Sequence, residues 1–293
     1  MTAKPYLTGH YTPAVDEISA TGLTVEGHLP PELNGGLIHN SHNPKPGVTP
    51  THWFKGSGMV HGIRLRNGRA EWYRNRWVRT PALEDAPYMT GRGVDLTASV
   101  AGTHVIEHAG RLLALCETNF PFELDAELET VGAYDFDGKL RSAMTAHPKT
   151  DPVTGELHFF GSSPFPPYLI HYIAGAKGRS STAPRSPARP CHSSTTSRSP
   201  AGTSSSSKAP SPSTRRVHQV GDARLPSEAV FVPAEGATGE EGGYLLTVIS
   251  DLKQDSSRLL VLDASGLEQI AAVHLPRRVT GGIHGSWIPD TDL

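Results

Sequence analysis

The sequence predicts an all-β protein, and three observations carry that prediction. Thirty Gly and 25 Pro in 293 residues cut the chain into short segments. The apolar runs between them are four to six residues long, the length of strands rather than of helices. Their fairly even spacing is that of sandwiches, barrels and propellers, which commonly fold as one unit at this length.

In chain order these runs are residues 112–115, 157–160, 229–232, 244–249 and 259–262, each bounded by turn residues. No internal repeat is evident. Net charge is −2 and charged residues make up 19%, a balance that points to no nucleic acid and no anionic membrane as partner. The average conceals an asymmetry. Residues 175–216 hold eight Lys or Arg and no Asp or Glu, which leaves 19 basic against 29 acidic residues elsewhere.

The same stretch contains no Val, Leu, Ile, Met, Phe, Tyr or Trp, and Ser, Thr, Pro and Arg dominate it. It cannot bury enough apolar surface to offset its ordering entropy, so no regular structure is expected there. The expected organisation is therefore 1–174, a disordered 175–216, and 217–293. Cys116 and Cys191 are too few for a disulfide framework or a thiolate metal site. Residues 1–13 lack a basic region followed by an apolar run, and no stretch reaches the eighteen or so apolar residues of a membrane span. A cytoplasmic protein is expected.

Several segments resemble one family. Residues 51–62, Thr-His-Trp-Phe-Lys-Gly-Ser-Gly-Met-Val-His-Gly, are similar to "WFDGDGMVHG", with Lys55 and Ser57 in place of its acids. Asn43-Pro44 sits where a "GPNP" turn would, and Cys116-Glu117-Thr118-Asn119-Phe120 resembles an "ETN" segment. Thr145-Ala146-His147-Pro148-Lys149 and the following Asp151-Pro152 and Gly155-Glu156-Leu157 resemble "AHPKxDPxTGE". Residues 226–233 and 283–289 are similar to "SEAVFVPR" and "FHGNWIP". These motifs, in this order on both flanks of the chain, identify it as resembling the carotenoid cleavage oxygenases.

The resemblance implies a seven-bladed β-propeller with Fe(II) on its axis, held by four neutral histidines whose outer N–H groups are oriented by glutamates. It places His147 and His284 at two of the metal positions, and Glu117 and Glu228 at two of the supporting carboxylates. It implies oxidative cleavage, by dioxygen, of one C=C bond in an apolar conjugated substrate, a carotenoid, apocarotenoid or stilbene, to two carbonyl products. Peripheral membrane contact for substrate uptake goes with such a substrate. His52, His61, His158 and His274 gain no role from it. Trp53, Phe54 and Trp287 read as core aromatics.

Two metal positions are missing. The family's second and third histidines lie in segments like "HDFAIT" and "FHxxNAY", and neither string occurs. The shortfall falls between residues 174 and 217, so central propeller strands are expected to be absent. Reading residues 193–200 one base out of frame, with permitted wobble bases, gives Val-His-Asp-Phe-Ala-Ile-Thr. A frameshift followed by loss of the next segment is preferred over a natural linker. The expected function is that of an impaired Fe(II) dioxygenase; the alternatives are a non-catalytic remnant that binds apolar ligands, and an unrelated β-rich metal hydrolase.

Overall fold

The protein is described by a computed structural model covering residues 4–176, 216–239 and 241–292. Among these the regular elements are 21 strands and five short 3-10 helices, which makes the fold all-β as expected. The five apolar runs lie in the strands Arg111–Leu115, Leu157–Ser162, Val230–Pro233, Gly243–Asp251 and Ser256–Asp263, with Ala229 just outside its strand. The 175–216 segment lies, but for its end residues, outside the described residues.

Four antiparallel sheets carry the architecture. The first is ordered Ser19–Thr21, Arg69–Trp77, Gly58–Arg66, Gly35–His42, Gly285–Pro289. Its central hairpin turns on Asn67 and Gly68, with φ of 49° and 72°, the two left-handed residues that match a two-residue turn to the strand twist. The second sheet is a meander of His104–His108, Arg111–Leu115, Phe122–Leu124 and Thr130–Ala133. In the third, Leu157–Ser162 is flanked by Leu169–Ala174 on one edge and by Ala143–Met144 and Lys149–Thr150 on the other. The fourth runs from Arg224–Pro226 and Val230–Pro233 through Gly243–Asp251 and Ser256–Asp263 to Gln269–His274.

The two ends of the chain interlock. Val25–Gly27 adds a strand to the fourth sheet along Gln269–His274, while Gly285–Pro289 adds one to the first along Gly35–His42. The edges of Gln269–His274 and Gly35–His42 are thereby paired.

Buried side chains between successive sheets form the core. Leu37, Ile63 and Tyr73 of the first sheet pack on Leu246, Leu259, Val261 and Val273 of the fourth. On the opposite face Ile38 and Val60 meet Val105, Leu112 and Phe122 of the second. Leu113 and Leu115 then meet Leu157, Phe159 and Tyr172 of the third. The stacking order is thus fourth, first, second, third. Among the described residues no buried cluster joins the third sheet back to the fourth.

The strand Gly35–His42 is buried at every position, including His39, Asn40, Ser41 and His42, because it is central and both faces are covered. Phe54, read from the sequence as a core aromatic, is 52% exposed. It sits in the short helix Trp53–Lys55, where its ring stacks on Trp53 at 5.3 Å rather than entering a sheet interface.

Candidate metal centre

The first strand of the third sheet is broken. Ala143–Met144 and Lys149–Thr150 pair with opposite ends of one edge of Leu157–Ser162, and the residues between them turn out of the ladder. His147 lies in that break. The fourth sheet repeats the device: Arg224–Pro226 and Val230–Pro233 share one edge of Gly243–Asp251, and Glu228 lies in the gap between them. Ser227 anchors this break through its N–H to the Val248 carbonyl at 2.8 Å and by accepting the Val248 N–H on its hydroxyl at 3.0 Å. His284 immediately precedes Gly285–Pro289, its carbonyl accepting the Asn40 N–H at 3.1 Å.

These elements bring His147 and His284 together, with ring centroids 4.8 Å apart and planes at 90°. Two imidazoles on one first-row cation, with metal–nitrogen bonds of about 2.0–2.1 Å, place their centroids roughly 4.5–5.2 Å apart. Each histidine has a carboxylate at one nitrogen. His284 donates from Nδ1 to Glu228 Oε2 at 3.1 Å, and the same oxygen accepts the Gly285 N–H at 3.0 Å. His147 Nε2 lies 3.1 Å from Glu117 Oε1, which also accepts the Ala146 N–H at 3.0 Å. A carboxylate offers only acceptors, so each imidazole carries its hydrogen on the nitrogen facing the glutamate. The lone pairs are then on His284 Nε2 and His147 Nδ1.

The four residues named from the sequence therefore occupy one site. His147 and Glu228 line a cleft of about 290 Å³ with His104, Pro148, Lys149, Ala229, Val230, His284 and Gly285. It is open: the side chains of His147 and Glu117 are 50% and 48% exposed. His104 was not singled out from the sequence. Its ring lies 5.0 Å from that of His284, and burial holds it below the ordinary histidine range. The alternation His104, Ile106, His108 along one strand face was the one available signal, and any half-buried strand produces it.

Tested against an iron of the kind the resemblance implies, the donors fit in kind and fall short in number. Two imidazoles with lone pairs free and outer nitrogens on carboxylates are suitable ligands. Among the described residues no group of three or more His, Cys, Asp or Glu is arranged to hold a metal.

Comparison with known proteins identifies the family of the chain and its fold. The profile of the family described as Retinal pigment epithelial membrane protein matches residues 11–205 and 210–289. A carotenoid cleavage oxygenase of Mycobacterium tuberculosis is 49% identical over 162 residues, covering 53% of this chain and 32% of that protein. The chain thus spans about a third of the length of this curated relative. Among solved structures, the Pseudomonas brassicacearum lignostilbene dioxygenase superposes with a TM-score of 0.77 at 18% identity, over 98% of each chain. A cobalt-substituted Synechocystis ACO superposes with a TM-score of 0.75 at 16% identity, over 97% of this chain and 98% of that one. At such identities these two likenesses establish the fold, a β-propeller.

Proposed function

The chain belongs to the family of the carotenoid cleavage oxygenases, and from that premise we propose that it derives from an Fe(II)-dependent dioxygenase and carries half of that enzyme's metal site. The observation that supports this reading is the meeting of His147 and His284 at 4.8 Å, 137 residues apart in sequence and each facing a glutamate. The reaction of the complete enzyme is cleavage of one C=C bond in a carotenoid, apocarotenoid or stilbene. Both atoms of dioxygen enter the two carbonyl products, so no external reductant is needed.

The bound iron's contribution is to activate dioxygen. This chain's own residues supply two imidazole donors, hold their tautomers through Glu117 and Glu228, and offer Pro148, Ala229 and Val230 as apolar wall for an apolar conjugated substrate. Uptake of such a substrate from a membrane surface accompanies this reading. Two donors cannot hold iron tightly, because affinity depends on a pre-formed ligand set.

The arrangement of the described residues supports loss of central strands from a seven-bladed ring. The faces that would flank the lost blades are those of the third and fourth sheets: the third exposes Phe160 and Leu169, and the fourth exposes Phe231 beside a buried patch of Ile249, Leu260, Leu262 and Ala272. The test compares this chain with a version in which the reading frame is restored across 175–216 and the missing segment supplied. Each is loaded with Fe(II) and given an apocarotenal or a stilbene under oxygen. The restored version is expected to yield two carbonyl products and the 293-residue chain none. Equal turnover by both would refute the proposal.

A further inference from the structure

His104 makes contacts that join the two histidine-bearing segments. Its strand, His104–His108, belongs to the second sheet, whereas His147 belongs to the third and His284 leads into the last strand of the first. His104 Nδ1 lies 3.0 Å from the carbonyl of Ala146, the residue before His147. His104 Nε2 lies 3.0 Å from the hydroxyl of Ser286, two residues after His284.

These partners determine the tautomer. A carbonyl oxygen can only accept, so Nδ1 carries the hydrogen and donates. In the neutral ring Nε2 is then the acceptor of the Ser286 O–H.

We infer that His104 is a positioning residue, a brace that spans Ala146 and Ser286 and so sets the spacing of His147 and His284. Neither ring nitrogen of His104 is left over to bind a metal while both hydrogen bonds are made. The ring also stands between two sheets that share no ladder, so the brace is a polar link that fixes the break holding His147 relative to the strand that follows His284. The inference deepens the metal-site reading and rests on it for its purpose, but its first readout needs no metal.

The test uses the full chain, its H104A, H104N and S286A variants, and the double variant H147A/H284A. Imidazole ¹H–¹⁵N correlation spectra at neutral pH are expected to show His104 as the Nδ1–H tautomer in the parent. In H104A the resonances of both His147 and His284 are expected to move. H104N keeps a donor for Ala146 but none of the Nε2 contact, and is expected to leave His147 near its parent position while His284 shifts, as in S286A. If neither histidine moves in H104A, or if His104 is the other tautomer, the brace is overturned.

Cu(II), as a probe for an imidazole pair, supplies the second readout. Loss of an orienting partner costs about 10–100-fold in metal affinity, and H104A is expected to fall in that range. The electron paramagnetic spectrum should show the same two imidazole nitrogens in parent and H104A; a third nitrogen lost in H104A would make His104 a ligand and overturn the inference. A parent that binds Cu(II) no better than H147A/H284A would refute the metal pair alone, leaving the imidazole spectra to decide the brace.

Discussion

Buried histidines set the response of this protein to acid. His42 is sealed between Trp53 and Phe54, and burial holds it down to about 4 against the opposing pull of its hydrogen bond to the Gly56 carbonyl. His39, in the same fully buried strand, is likewise held down to about 4, chiefly by burial. In the unfolded chain both titrate near 6.5. Between about 6.5 and 4 the unfolded state therefore binds protons that the folded state refuses, so stability is full above that window and falls as pH drops through it. Each ring contributes a loss of roughly 3 kcal/mol by the lower end, at about 1.4 kcal/mol per unit. Urea midpoints measured at pH 7, 5.5 and 4 are expected to fall steadily; a midpoint constant down to pH 4 would show these rings to be accessible to protons in the fold. None of this was visible in the sequence, where a histidine reads equally well as exposed, and only the covering of both strand faces decides it. His147, His284, Glu117 and Glu228 were visible, because each lies in a motif whose order along the chain could be matched.

Strands were the most legible elements, since an apolar run of four to six residues between turn residues has few other uses. The breaks in the first strands of the third and fourth sheets were not legible: Ala146-His147-Pro148 and Ser227-Glu228-Ala229 look like ordinary loop residues until two half-strands are seen on one edge of a partner. Those breaks are what turn His147 and Glu228 toward the cleft. The outer edge of Leu169–Ala174 has no strand beside it among the described residues, and Leu169 is 59% exposed next to the exposed Phe160, Phe165 and Tyr168. Unpaired ladder groups flanked by apolar side chains template intermolecular pairing. Leu169→Lys places a charge at that edge and is expected to reduce light scattering of concentrated protein, with stability changed by no more than about 0.5 kcal/mol because the site is exposed. Unchanged scattering would mean that self-association uses another surface.

At the scale of the molecule, the stacking order fourth, first, second, third describes an arc whose ends are not packed on each other among the described residues. Its chain ends are locked by Val25–Gly27 and Gly285–Pro289, so the opening falls in the middle of the sequence, beside the 175–216 segment. The propeller family was legible from the flanking motifs. The count of seven blades came with the resemblance alone, and four sheets of three or more strands lie among the described residues. The loss proposed at that place would account together for the exposed apolar face of the third sheet, the half-exposed His147 and the two donors that the resemblance leaves unmatched. Iron per chain tests this most directly, measured after anaerobic Fe(II) loading and gel filtration of this chain and of the restored version. The account predicts close to one iron in the restored protein and far less than one in the 293-residue chain; stoichiometric iron retained by the 293-residue chain and lost in H147A/H284A would contradict it.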